Sequence, residues 1–550
     1  MTVSESDPSY IPVLGLFSIA VPLLVFLYEA WRRGTERKCK VERAGNVLLP
    51  TPHSVLPSWF GGISGHTLRL DKNRIPGRLE EWADEYGQDF ELNILNQRAI
   101  VVIDRDEIRR ILNLRPGKFR RGLYKDNFVW VGKQIGFAPS MFHNEGQDWG
   151  RSRRIIAPSF HRQNVDDMIP SMTKVAERLL LRWSNDEASG EVVDAKDNFG
   201  RFAHDVIALA GMGIRTNSVD VKKGDASPTL DGIKLLSDTT MKLLFNPLAP
   251  IGWKFFPSLL QWVRRTKEIT AKMEETVQAA VDKTRAELKQ EDDSNGGGSG
   301  VAGHAGKILR KIVSAGGRVS SGNRMTLSDE EVIRELKTIF LAGTDTTANT
   351  LTWAFYYVAK HPKIVARCRK EALEVAPDTN GLVSTPEQLS RLVFCSSVFR
   401  EALRMWTAGL VVLLHSTEEF TMKNGAKTDG GTVFFLMNRY AAISEQSFTR
   451  AKEFIPERWI EAEREEVLLG QGIGDEKRTV RHIEEAFMPF GGGPRVCPGK
   501  DMAMYEATVM LAAACAKFNF ALAPGQADPP EENQLFSAGP RELRLVLSRA

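Results

Sequence analysis

The chain is poor in the residues that would suggest several common chemistries. It holds five cysteines in 550 residues, Cys39, Cys368, Cys395, Cys497 and Cys515, and none forms a C-x-x-C pair. An odd, scattered set is no disulfide framework and points to a reducing compartment for the bulk of the chain. No cysteine–histidine cluster has ligand spacing and H-E-x-x-H does not occur, which excludes the ordinary zinc sites. Charge of one sign is not in excess either, since 73 basic and 69 acidic residues give a net charge of +4. No basic stripe alternates with aromatics, so nucleic acid is not an expected partner. No strand-to-helix glycine-rich dinucleotide or flavin motif stands out, and there is no internal repeat. What remains is an ordinary globular composition with a sizeable core, 42% hydrophobic and 26% charged.

One long uncharged run is present, IPVLGLFSIAVPLLVFLY from Ile11 to Tyr28. At roughly 1.5 Å per residue it is about the shortest helix that spans a bilayer. No Lys or Arg precedes it, while Arg32, Arg33, Arg37, Lys38 and Lys40 follow at once. The positive-inside rule then leaves the short N-terminus outside and the main body in the cytosol. A cleaved signal peptide competes, but the run lacks a basic n-region and a good small-residue cleavage pattern. Residues 1–34 are therefore expected to be an N-terminal membrane anchor. Residues 35–62, basic and then stiffened by Pro50, Pro52 and Pro57, are expected to be a linker to a body at 63–550.

Within the body, Asp89 to Asp104 is the first strand-like run, and helical periodicity dominates from there. Lys267 to Gln290 is amphipathic and runs into a low-complexity loop, Gln290 to Gly306. SDEE at Ser328 to Glu331 reads as a capping box, with Ser328 as N-cap and Glu331 reaching back. No proline follows until Pro362, which allows a helix of about thirty residues, roughly 50 Å long. Strand-like runs return at Val411–Leu414 and Val433–Leu436, and a last long helix follows Gly499.

The most informative segment is FGGGPRVCPG, Phe490 to Gly499. Its glycines permit backbone closed to other residues and close approach to a flat ligand. Cys497 then enters a helix N-terminus, whose free N–H groups and positive dipole end favour thiolate, and Arg495 can aim a fixed charge at a carboxylate. The segment resembles the signature of the cytochrome P-450 family, F-x-x-G-x-R-x-C-x-G, with Phe490, Gly493, Arg495, Cys497 and Gly499 filling every fixed position. The resemblance implies heme b (iron protoporphyrin IX) with Cys497 as metal ligand and Phe490, Gly493 and Arg495 beside the cofactor.

Further motifs follow in family order. LAGTDTT, Leu341 to Thr347, falls inside the long helix, where Gly343 costs roughly 1 kcal/mol relative to Ala and so asks for a reason. Thr346 and Thr347 can divert a backbone carbonyl and open the helix, or the glycine can serve a close helix crossing. The family pattern here implies an O2 groove, with Asp345 and Thr346 as general acid–base groups acting through water. GQDWGRSRR matches W-x-x-x-R, so Trp149 and Arg153 are implied to bond a heme propionate, whereas Arg151 and Arg154 fit a surface helix. Glu401 and Arg404 form an E-x-x-R pair that the resemblance joins to Arg458 of FIPERW in a buried triad. The same string at Glu107–Arg110, Glu331–Arg334 and Glu461–Arg464 reads as surface pairs. Two departures stand out. Thr407 and Ala408 replace the usual proline pair, and His415 stands where an arginine often contacts a propionate; His415 is kept as a cofactor contact.

These readings imply a mainly α-helical cytochrome P-450 fold with a small β region and one N-terminal transmembrane helix. The implied activity is a heme-thiolate monooxygenase that inserts one oxygen atom from O2 into a hydrophobic lipid, terpenoid, sterol or other secondary metabolite. Electrons are expected from a separate NADPH-cytochrome P-450 reductase, with cytochrome b5 as a further partner. Lys477, Arg478, Arg481 and Lys500 are candidates to receive the reductase, or else only solvate a loop. The implied location is the endoplasmic reticulum membrane, single-pass, with the catalytic domain cytosolic. Pocket walls are expected from Arg120–Lys133, Phe340–Ala342, Leu410–Leu414 and Leu535–Pro540. A reductase-independent isomerase or dehydratase of lipid peroxides is the alternative, and a heme sensor without turnover a third reading; the intact Asp345–Thr346 pair speaks against both.

Overall fold

The structure is a computed structural model. It describes residues 49, 75–94, 97–121, 125–221, 228–245, 249–255, 260–293, 306–316, 326–461, 484–534 and 537–550. The expected anchor, almost all of the expected linker, the middle of the loop after Gln290, and Lys477, Arg478 and Arg481 lie outside these residues. Among the described residues, no helix is long and apolar enough to cross a membrane. The described residues divide into two compact units, one of those up to 108 with 118–121 and 412–437, the other of those in 109–117, 125–411 and 438–550.

The smaller unit is built on a mixed sheet of strands β1 (Phe90–Ile94), β2 (Gln97–Val102), β3 (Phe119–Arg121), β4 (Val412–Ser416) and β5 (Val433–Leu436), in the order β1-β2-β5-β4-β3. The run from Asp89 to Asp104, which reads as one strand-like stretch, is a hairpin, with Phe90 opposite Val101. Strand β2 pairs in parallel with β5, Val101 opposite Phe435. Every residue of β5 is buried, as expected of an apolar strand flanked by neighbours. Phe119 anchors the far edge by edge-to-face contacts with Phe420 at 4.8 Å and Phe434 at 5.2 Å. His415 is half-buried on β4, paired with Arg120 on one side and Val433 on the other.

The larger unit is helical. Its site-bearing helices are α1 (Gly146–Ile156), α2 (Ala195–Val206), α3 (Asp329–Lys360), α4 (Val393–Met405) and α5 (Lys500–Lys517). Helix α3 has 32 residues, about 48 Å at 1.5 Å each. Its start is the predicted capping box: the Glu331 N–H donates to Ser328 Oγ at 3.3 Å, and Ser328 N–H to the Glu331 carboxylate at 2.8 Å. The amphipathic run ending near Gln290 is one helix from Gln261 to Asp293. Around Trp183, the rings of Phe199, Phe355, Phe518 and Phe520 lie 5.8 to 6.2 Å away and hold α2, α3 and the C-terminal strands in one core.

Two features fix the frame of the site. A Cβ on Gly343 would lie 3.0 Å from Ile207 Cγ1, so the small residue serves a close crossing between α3 and the π-helical turn Ile207–Gly211. Glu401 and Arg404 of α4 and Arg458, all fully buried, form a triad. The carboxylate accepts Arg404 Nε at 3.0 Å and Nη2 at 2.8 Å, and Arg458 Nε, Ile455 N and Trp459 Nε1 each at 2.9 Å. The other E-x-x-R strings divide. Glu331 spends its carboxylate on Ser328 and Arg151, while Glu107, read as part of a surface pair, is buried at 1% exposure.

Candidate active site

The loop before α5 closes on itself. Cys497 N–H donates to Phe490 O at 2.9 Å and Val496 N–H to Gly493 O at 3.1 Å, which returns the chain beneath the cysteine. Gly493 has φ +63°, and a Cβ there would fall 2.3 Å from Leu112 O, so no other residue fits. Cys497 keeps accessible surface although protein atoms crowd its sulfur. That crowding pushes the thiol up, against the pull of the Gly499 N–H and the Arg153 guanidinium. The helix terminus alone therefore does not yield the expected thiolate, because desolvation outweighs it; a coordinated cation deprotonates a thiol outright.

Beside the cysteine lies a cluster of charge. The Arg495 side chain is 3% exposed and donates from Nη2 to the Glu145 carboxylate at 2.5 Å and to Asn144 O at 2.7 Å. Its guanidinium carbon lies 4.6 Å from the centre of the Trp149 ring, a cation–π contact. Burial, helped by the nearby Arg115 and Arg153 guanidiniums and opposed by Glu145, pushes the Arg495 pKa down to about 10. Glu145 thus faces Arg495 and Arg115, with Arg153 beside Arg495, so three guanidiniums accompany one carboxylate, a surplus of two positive charges. The Nε and Nη2 atoms of Arg115 and the Nε of Arg495 are buried with no hydrogen-bond partner among the described residues. Buried donors of a cation without acceptors are costly, so this corner is built for an anion of about charge −2. The structure brings Trp149, Arg153, Arg495 and Cys497 together. Arg115 and Glu145 were not foreseen, since neither belongs to a motif.

On α3, Thr346 Oγ1 donates to Ala342 O at 2.8 Å, diverting that carbonyl as expected. Asp345 is half-buried, and enclosure pushes its carboxyl up, against the pull of Ser537, Lys196 and Lys234. In the neighbouring walls Phe340 and Leu341 are buried, as is Leu410, whereas Leu535, Phe536 and the Phe128 side chain lie outside the description. Thr407, in place of the usual proline, is buried and donates to Pro489 O at 3.3 Å. His415 belongs to the smaller unit.

A family model described as Cytochrome P450 matches residues 53–547. The chain belongs to the cytochrome P450 family. Its relatives are distant. It is 23% identical to "Cytochrome P450 monooxygenase claU" of Ampulloclitocybe clavipes, covering 92% of each chain. It is 26% identical to 11-oxo-beta-amyrin 30-oxidase of Glycyrrhiza uralensis over 78% of this chain and 75% of that protein. Cytochrome P450 734A1 of Arabidopsis thaliana is also 26% identical, over 84% and 81%. A crystal structure of the cytochrome P450DA heme domain superposes with a TM-score of 0.74, covers 92% of this chain and 98% of that one at 21% identity, and so shares the fold. This P450 is thus an oxidoreductase of the monooxygenase class, and the family's cofactor is heme. The residues present fit that group: an accessible sulfur on a glycine-rich loop suits the iron, and the surplus cations with orphaned donors suit two propionates.

Proposed function

We propose that this P450 inserts one oxygen atom from O2 into an apolar terpenoid, sterol, lipid or other secondary metabolite, with electrons from a separate NADPH-cytochrome P-450 reductase or cytochrome b5. The observation that carries the reading is the Cys497 loop set against Arg115, Arg153 and Arg495. In this reading Cys497 would be the iron ligand, with Phe490 and Gly493 of its loop helping to hold the cofactor. Trp149, Arg153 and Arg495 hold the propionates, with Arg115 added to them. Heme b, when bound, supplies the redox chemistry of O2 that no side chain offers. Asp345 and Thr346 hold and pass protons in the groove of α3, and enclosure, which raises the Asp345 carboxyl above its ordinary value, favours its holding one. Residues 1–34 anchor the chain in the endoplasmic reticulum membrane, 35–62 link, and 63–550 form the cytosolic catalytic domain. A relative named for oxidising 11-oxo-beta-amyrin favours a bulky polycyclic substrate.

The test is spectroscopic and catalytic. The full chain, expressed with a porphyrin precursor, should give the carbon-monoxide difference band of a thiolate-ligated heme, and Cys497→Ser should lose it. Reductase and NADPH should then support oxidation of a lipophilic compound that shifts the heme absorption. A band unaltered in the serine variant overturns the ligand assignment. Turnover of lipid peroxides without reductase, and none with NADPH, would favour the isomerase instead.

A further inference from the structure

Asp345 has a partner outside its motif. The Ser537 hydroxyl donates to the Asp345 carboxylate, and the same oxygen accepts from Asn349 Nδ2 at 2.6 Å. Ser537 and Asn349 are each 6% exposed, so water does not substitute freely for either contact. The segment carrying Ser537 is pinned twice. Ala538 N–H donates to Ala408 O at 2.9 Å. Gly539 packs so closely that a Cβ would lie 2.2 Å from Asn349 Oδ1 and 2.7 Å from Asn349 Cβ.

Resting on the acid–base role assigned above to Asp345, we propose that Ser537 is a positioning residue that holds this carboxyl in the groove of α3, with Asn349 orienting the serine. A hydroxyl offers one donor and two acceptor sites. Asn349 fills one acceptor site, and the donor meets the ionised carboxylate. When Asp345 is protonated on its other oxygen, the hydroxyl goes on donating to the carbonyl oxygen of the same carboxyl. The contact therefore survives a proton cycle without moving either side chain, which a group that repeatedly takes up and releases a proton requires. Charged neighbours cannot do this in place of Ser537. Lys196 of α2 and Lys234 of the helix Pro228–Phe245 draw the carboxyl down, and Asp238 of that helix pushes it up. Lys196 is itself mostly enclosed, with Asp194, Lys234 and Arg541 in its field. These act through charge at longer range, and among them only Ser537 bonds the carboxyl. Losing the serine removes a contact that favours the ionised form, so the carboxyl should stay protonated to higher pH.

The experiment uses the full-length, heme-loaded protein in wild-type form and as Ser537→Ala, Ser537→Thr, Gly539→Ala and Asp345→Asn. The first readout is the infrared carboxyl band in the carbon-monoxide complex, assigned by its absence from Asp345→Asn and titrated with pH. The second is the rate of NADPH oxidation with reductase. In Ser537→Ala the band should persist to higher pH and NADPH oxidation should fall on the order of tenfold, part of what general acid–base catalysis contributes. Ser537→Thr should restore both. If Asp345→Asn oxidises NADPH at the wild-type rate, the assigned role of Asp345 fails, whatever Ser537 does. If Asp345→Asn is slow but Ser537→Ala leaves the titration unmoved, the positioning role alone is overturned. Should Ser537→Ala not fold, Gly539→Ala keeps the hydroxyl while displacing Asn349. It should shift the band in the same direction by less, and an unmoved band there overturns the proposal equally.

Discussion

Replacing Glu401 by glutamine changes one atom and should come close to unfolding the protein. Both carboxylate oxygens only accept: Oε1 takes Arg404 Nη2, Arg458 Nε and Ile455 N, and Oε2 takes Arg404 Nε and Trp459 Nε1. The amide of a glutamine must turn its NH2 toward one set, and the Oε2 side is cheaper because fewer donors point there. Two bonds are then lost, at roughly 1.5–3 kcal/mol each for hydrogen bonds to a charged group. Breaking a buried ion pair by removing one partner costs about 3–5 kcal/mol, so about 4 kcal/mol is a reasonable figure. Against a typical stability of about 5–15 kcal/mol, that raises the unfolded fraction roughly a thousandfold. Guanidinium unfolding followed by tryptophan fluorescence, with heme absorbance in parallel, measures it. Trp459→Phe, which removes one donor and leaves the charges paired, should cost about 1.5–3 kcal/mol. Burial alone would raise the Glu401 pKa, but Arg404, Arg458 and the Ile455 N–H outweigh it and hold the carboxyl below its ordinary 4.5. Its contribution is therefore complete above pH 4.5 and is lost as pH falls through the lower folded value, so wild type and Glu401→Gln should converge in acid. A glutamine variant within about 1 kcal/mol of wild type at neutral pH, below the loss of even one such bond, would refute the reasoning.

Two further outcomes are expected. Arg115→Met should release heme to apomyoglobin on the order of tenfold faster, the loss of about one charge-assisted bond, with Arg115→Lys between the two; an unchanged release rate removes Arg115 from the propionate corner. Glu506 of α5 is 3% exposed and burial pushes it up to about 8, against a single pull from the Thr347 hydroxyl. The native state then keeps a proton that the unfolded chain loses, and stability should fall as pH rises from about 4.5 to about 8. Glu506→Gln should flatten the melting temperature across that range, and identical slopes for both proteins would show that the carboxyl titrates normally.

The parts legible in the sequence were those whose causes are local. The capping box at Ser328 and Glu331 and the absence of proline before Pro362 define α3 almost to the residue. Three glycines beside one cysteine announce a loop that must approach something closely, and Gly493 against Leu112 O shows why. Where cause and effect are far apart, the sequence is silent. Arg495 meets Glu145 across 350 residues and Ser537 meets Asp345 across 192, and nothing in either neighbourhood marks the encounter. An E-x-x-R string reports that two side chains share a helix face but not whether the face is wet, which is why Glu107 read as exposed and is buried. Apolar alternation likewise shows strand without showing that Phe90–Ile94 and Gln97–Val102 are two strands paired with each other.

The two buried arginine clusters show how similar charge counts lead to opposite roles. Around Glu401 two guanidiniums face one carboxylate, yet the surplus is absorbed by carbonyls: Arg404 donates to Ala442, Ala451 and Glu453, and Arg458 to Thr449 and Arg450. That cluster is closed, and a closed cluster of buried charge stabilises only the chain that contains it. In the cluster around Arg495 three guanidiniums accompany the Glu145 carboxylate, while nitrogens of Arg115 and Arg495 meet no acceptor among the described residues. The surplus there is not relieved by deprotonation, because even at a pKa of about 10 Arg495 is neutral in only roughly one molecule in a thousand at pH 7. Desolvated cations with idle donors are unfavourable unless an anion meets them, so the cluster beside Cys497 is complete only with a ligand.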